Sequence, residues 1–161
     1  MCSSDLDWMN GEYIRTKLSE SELIEAIKPH VPRAWLSDMK YFKNVLKLDR
    51  ERIKRFDESR YIMEIFFETP EVPMELLCKK NDIQTIKQWL GEVVSAIENI
   101  EFSHDSVEKA LRGLCEELGV QTGKLFYALR LALTGRTEAP GLFDIFVALG
   151  KDESISRLKR I

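Results

Sequence analysis

Apolar positions recur along this chain at intervals of three and four residues, the spacing that lines one face of an α-helix, and no segment alternates with period two over a useful length. Ser19 followed by Glu22 forms a capping box, and Leu23, Ile24 and Ile27 supply the buried stripe of a helix that Pro29 ends. Pro32 marks a short linker. From Ser37 or Asp38 onward, Phe42, Val45, Leu46, Ile53 and Phe56 fall on one helical face, either in one long helix or in two collinear ones broken near Leu48–Asp49. Lys43, Lys47, Arg50 and Lys54 follow a different, basic face of the same stretch.

The pair of prolines in Thr69–Pro70–Glu71–Val72–Pro73 excludes a continuous helix. Beyond it, Ile83, Ile86, Leu90, Val93, Val94 and Ile97 form a strong amphipathic helix. Ser103 caps the next, whose Val107, Ala110, Leu111 and Leu114 face inward until Leu118–Gly119. Thr122 caps a helix that runs to Thr134–Gly135, where glycine accepts a positive φ. A short polar loop carries Arg136, and Pro140 opens an apolar helix at a first-turn position that Gly150 closes. Ile155, Leu158 and Ile161 mark a last short helix. The pattern predicts an all-α chain of two helical-bundle subdomains meeting near residue 70.

Composition narrows this picture. A hydrophobic content of 44% over 161 residues supports a packed core, and no apolar run is long enough to cross a bilayer. No signal peptide opens the chain, so a cytoplasmic location and no membrane partner are expected. Cys2, Cys78 and Cys115 are dispersed and odd in number, and with only His30 and His104 beside them neither a disulfide framework nor a metal site is expected.

A net charge of −3 argues against a generic nucleic-acid binder, but the distribution is uneven. Residues 33–60 hold nine Lys/Arg against five Asp/Glu, whereas residues 61–118 hold five against twelve. The segments that follow are again slightly basic. An acidic middle thus separates two basic regions, where an RNA backbone could be held or where charge is simply solvated.

Enzymatic constellations are largely missing. The sequence has no glycine-rich phosphate loop, no GxSxG, no HExxH and no CxxC, and no pairing of its many carboxylates is singled out. Trp8, Tyr13, Trp35, Trp89 and Tyr127 are stacking candidates by residue type, and core or interface roles are the better reading for them.

Two segments carry a specific likeness. Ala128 to Lys151 reads ALRLALTGRTEAPGLFDIFVALGK, and with its ALTG and PGLF elements it resembles the end of the anticodon-binding region of bacterial-type glutamyl-tRNA synthetases, which are class I enzymes. Leu6–Arg15, LDWMNGEYIR, resembles the LxWMNGxYIR segment that leads from the catalytic half of those enzymes into their helical half. Helix order and length between the two also fit, and only Met1–Ser4 lies outside the match.

The resemblance implies residues 1–18 as a hinge from the catalytic half, 19–69 as a first anticodon-binding subdomain and 70–161 as a second. It implies a monomeric parent that joins L-glutamate to its transfer RNA with ATP and magnesium. The HIGH-like and KMSKS-like signatures of that chemistry are absent from this sequence, so no cofactor and no catalytic residue are expected in this stretch. Its partners would be the anticodon loop of glutamate transfer RNA and the catalytic half of the same enzyme.

Residue by residue, Arg130 matches an arginine that helps read an anticodon base; by residue type alone it is equally a helix-surface cation in a salt bridge. Ala139, Pro140, Leu142 and Phe143 match the anticodon contact surface, with core packing the alternative for the last two. Ala139 stands where some relatives carry Thr, which removes a hydroxyl contact and leaves a main-chain one. Lys124 and Arg136 face phosphate or solvent. Arg52 aligns with an arginine that resembles the family's discriminator for the third anticodon base, and Arg55 replaces it if the register slips. The rival class is a helical scaffold that binds protein through its acidic middle or an apolar groove.

Overall fold

A computed structural model describes residues 3–161; Cys2 lies outside them. Every regular element among the described residues is helical, as the periodicity predicts. The chain forms two compact units, one running to Glu68 and one spanning Thr69–Ile161.

The first unit contains α1 (Ser3–Thr16), α2 (Glu20–Ile27), α3 (Met39–Asp49) and α4 (Ser59–Phe67), with 3-10 turns at Lys28–His30, Arg33–Ser37 and Phe56–Glu58. The capping box is complete: the Ser19 hydroxyl accepts the Glu22 N–H at 3.2 Å, and Glu22 Oε2 accepts the Ser19 N–H at 2.9 Å. Ser19→Ala removes a donor's partner at an exposed helix start and is expected to lower stability by about 1 kcal/mol, read as a shift in the urea midpoint with an unchanged slope.

Of the stripe predicted for residues 42–56, Phe42, Val45, Leu46 and Ile53 are buried, though not on one helix, and Phe56 is half-buried. Phe42, Val45 and Leu46 pack from α3, whereas Ile53, also fully buried, lies in the irregular segment after it. α3 ends at Asp49. The Asp49 carbonyl accepts the N–H groups of Arg52 (2.8 Å) and Ile53 (3.2 Å), and Arg50 turns its guanidinium onto the carbonyls of Ile14 (2.7 and 2.9 Å) and Leu18. Arg50 thereby satisfies carbonyls at the C-terminal end of α1 and leaves the predicted basic face. Lys43 is ion-paired with Glu20 yet exposed, so Lys43, Lys47 and Lys54 are the exposed members of that face. Trp35 is core, stacked on Phe67 at 4.6 Å with a 9° interplanar angle.

In the second unit α5 (Met74–Leu77) precedes α6 (Ile83–Glu98), α7 (His104–Leu118), α8 (Thr122–Thr134), α9 (Leu142–Leu149) and α10 (Lys151–Lys159). α10 packs on α6, α8 and α9, and α7 packs on α6 and α9, around Ile86, Val93, Ile97, Val107, Leu111, Leu129, Ile145 and Phe146. Ser103 caps α7 as predicted, with its hydroxyl accepting the Ser106 N–H at 3.3 Å. Thr122 does not cap α8; it is the first helical residue, and Gln121 precedes it in extended conformation without a side-chain cap.

Candidate nucleic-acid interface

The loop between α8 and α9 is built by its own neighbours. Gly135 ends α8 at φ +69°, and its N–H donates to the Leu131 carbonyl at 2.8 Å. No side chain fits there: a Cβ on Gly135 would lie 2.2 Å from the Glu71 carbonyl oxygen. The Thr134 hydroxyl donates to the Arg130 carbonyl at 2.7 Å and accepts the Arg136 N–H at 3.1 Å, which turns the chain out of the helix.

Arg130 projects from the last turns of α8 and donates Nη1 to the carbonyls of Ala139 (3.0 Å) and Pro140 (2.9 Å). One half-buried guanidinium thus ties the far side of the loop to the helix that precedes it. This also explains why Pro140 does not start α9. With its carbonyl turned toward Arg130, the chain stays extended through Gly141 (φ −53°, ψ 138°), and the helix ladder begins with the Ile145 N–H on the Gly141 carbonyl at 3.0 Å. α9 therefore begins at Leu142, and no side chain caps it. Its first-turn N–H groups are held next to the latched carbonyls, giving donors and acceptors side by side.

The predicted site residues fall into distinct settings. Leu142 is buried in the core and Pro140 is buried as well, so each presents only main chain to a ligand. Ala139 and Arg136 are half-buried in the loop, and Lys124 is exposed in the first turn of α8. Phe143 is half-buried, edge-on to both Phe126 (5.5 Å, 89°) and His104 (5.5 Å, 78°). Arg130, Ala139, Pro140, Leu142, Phe143 and Arg136 are brought together at the α8–α9 connection.

Arg52 belongs to the first unit. Its side chain is 28% exposed, and Nη1 donates at 2.9 Å to Oδ1 of Asp49, whose side chain is fully buried. A buried carboxylate behind a partly exposed guanidinium fixes the orientation of the fork. Arg55, the alternative in register, is exposed and ion-paired with Asp57 at 2.8 Å. Beside it opens a cleft of about 510 Å³ lined by Tyr13, His30, Lys54, Arg55 and Phe56 among others.

Sequence reading missed one support of the loop. Arg157 of α10 is 3% exposed, pairs through Nε with Glu153 at 2.7 Å, and donates Nη1 to the Leu133 carbonyl at 2.7 Å, bracing the end of α8. The apolar pattern pointed to Ile155, Leu158 and Ile161, whereas the buried members of α10 are Ser154, Arg157 and Leu158, and Ile155 is half-buried.

Cys115 is buried, and burial pushes its thiol up, away from the reactive thiolate form; Cys78 is the other free thiol among the described residues. Among those residues no three of His, Cys, Asp and Glu converge to hold a metal ion, and no helix is long and apolar enough to cross a membrane.

Fold and loop together define a helical binding domain that presents a cation-latched loop. Residues 22–161 match the family model described as "Anticodon binding domain". The chain belongs to the anticodon binding domain family. It is 40% identical over 161 residues to the glutamate–tRNA ligase of Roseiflexus sp. (strain RS-1), which aligns with 94% of this chain and 32% of that protein. To the glutamate–tRNA ligase of Thermus thermophilus it is 37% identical over 161 residues, with 96% and 33% covered. In fold it is similar to a glutamate tRNA ligase from Elizabethkingia meningosepticum crystallised with its amino acid (TM-score 0.82, 22% identity, covering 99% of this chain and 32% of that one). The chain spans about a third of the length of these relatives.

Proposed function

We propose that this chain is the anticodon-binding portion of a glutamate–tRNA ligase, and that it grips the anticodon loop of glutamate transfer RNA. The parent joins L-glutamate to that RNA, and ATP and magnesium act in the part of the parent that carries the catalytic half. The observation that supports this most is the Arg130 latch. A loop whose carbonyls are held at 2.9 and 3.0 Å and which leads into the uncapped start of α9 offers preorganised main-chain groups to unstacked base edges.

In this reading Arg130 positions the loop as well as facing the RNA, Ala139 and Pro140 contribute main chain, and Phe143 contributes an aromatic edge. Lys124 and Arg136 hold phosphate. Arg52, oriented by Asp49, donates to the third anticodon base, where a cytosine offers O2 and N3 as acceptors. A wrong base leaves desolvated donors without partners, at a cost of roughly 1–3 kcal/mol. The exposed Leu6, Trp8, Met9 and Tyr13 of α1 join this portion to the catalytic half; Trp8 is 64% exposed.

The test is a titration of the chain with an anticodon stem-loop carrying the glutamate triplet, beside a scrambled-loop control. The reading predicts salt-dependent binding that prefers the glutamate loop by tenfold or more. Equal affinity for both loops would support a protein-binding scaffold instead.

A further inference from the structure

The cleft of about 510 Å³ in the first unit lies between α1, the turn at Lys28–His30 and residues 54–57, and no function assigned above uses it. Its walls are of two kinds. Tyr13 and Phe56 bring aromatic rings, and Lys54, Arg55 and His30 bring nitrogen groups. Arg55 is paired with Asp57 at 2.8 Å, so that carboxylate answers one cation of the rim and leaves the charge of Lys54 in excess. Gly11 sets the place of that lysine. It is buried in α1, and a Cβ on it would meet Lys54 Cγ at 3.5 Å. The base of the lysine stem is thus packed on α1, while the side chain as a whole stays exposed.

This combination selects its occupant. Clefts of roughly 300–1,000 Å³ enclose small molecules. Aromatic walls favour a planar heterocycle, which covers them by stacking whatever its edge pattern. An ammonium and a guanidinium at the rim favour an anion with several acceptor oxygens. A nucleoside monophosphate carries both parts in one molecule. Inorganic phosphate alone leaves the rings uncovered, and a nucleoside alone leaves the excess charge unmet.

We propose that this cleft binds a nucleoside monophosphate, with its base against Tyr13 and Phe56 and its phosphate at Lys54 and Arg55. Two sources supply that chemistry: the free nucleotide, which transfer of glutamate from an adenylate releases in the parent, and an unstacked nucleotide of the bound RNA. The proposal does not rest on the anticodon-loop reading, because its first test contains no RNA. The chain is titrated with AMP, adenosine and inorganic phosphate in turn, and amide chemical shifts are followed in the parent sequence, Lys54→Gln and Tyr13→Ala. Both side chains are exposed, so both variants keep the fold. AMP is expected to give saturable shifts at residues 10–14 and 54–57, and to bind about tenfold tighter than adenosine or phosphate. Each substitution is expected to weaken AMP by about tenfold. The absence of saturable shifts in the cleft, equal affinity for AMP and inorganic phosphate, or AMP binding unchanged by both substitutions would each overturn the proposal. Competition then separates the sources. AMP that displaces the glutamate stem-loop supports a nucleotide of the RNA, and AMP that leaves stem-loop affinity unchanged supports the free nucleotide.

Discussion

Replacing Arg130 with Ala is expected to weaken binding of the glutamate anticodon stem-loop by about a hundredfold while leaving the helices folded. The guanidinium makes two charge-assisted bonds, to the carbonyls of Ala139 and Pro140. Each is worth roughly 1.5–3 kcal/mol, and water at this half-buried position recovers part of that, which leaves about 2–3 kcal/mol of loop order and direct contact. Arg130→Lys is expected to restore only a small part, because one ammonium point charge does not reproduce the fork. In the complete parent enzyme the same Ala change is expected to raise KM for the transfer RNA and to leave adenylate formation nearly intact, which an ATP–pyrophosphate exchange assay would separate. Full rescue by lysine, or an unaltered KM, would reduce Arg130 to a surface cation.

A larger structural effect is expected at Gly135. An alanine there must adopt φ near +69°, a cost of roughly 1–2 kcal/mol, and its Cβ would sit 2.2 Å from the Glu71 carbonyl oxygen, an atom fixed in the backbone. The 69–73 segment or the loop must yield, so the total is about 3 kcal/mol or more, a fall in Tm of about 10 °C. RNA affinity should fall with it, because the base of the loop moves. Gly91→Ala is the matched control: Gly91 lies within α6 with no atom near its Cβ position, and alanine there is expected to stabilise by up to about 1 kcal/mol. Thermal unfolding followed by circular dichroism reads both. Equal Tm values for the two variants would mean that the close approach of Gly135 to Glu71 carries no weight.

How much of this was legible in the sequence depends on the range of the interactions. Helix starts governed by residues three apart were readable, as at Ser19 with Glu22 and at Ser103, and so were the glycines that end α7, α8 and α9 with positive φ. The buried stripe through Phe42, Val45, Leu46 and Ile53 was also readable, because burial follows hydrophobicity even where the helix does not continue. What failed was long-range. The break near Leu48–Asp49 was one of the two arrangements the pattern allowed and is where α3 ends, but nothing within residues 42–56 announces that Arg50 reaches back to Ile14 and Leu18 or that no collinear α-helix follows. Likewise the start of α9 is set by Arg130, ten residues before Pro140, and not by the proline itself. In the candidate site the residue types were found through resemblance. Their physical division was visible only in three dimensions: a latch at Arg130, main-chain groups at Ala139, Pro140 and Leu142, and an aromatic rest at Phe143.

The central claim is that unstacked bases meet the chain at the loop that Arg130 latches. Photo-crosslinking tests it most directly, with 4-thiouridine placed in the anticodon loop of the transfer RNA, followed by tryptic digestion and mass spectrometry. Cleavage after Arg136 and Lys151 isolates the loop and α9 on one peptide, Thr137–Lys151. The account predicts that this peptide carries the dominant crosslink and loses it in Arg130→Ala. Crosslinks confined to peptides of the acidic stretch 61–118, with Thr137–Lys151 unmodified, would contradict it.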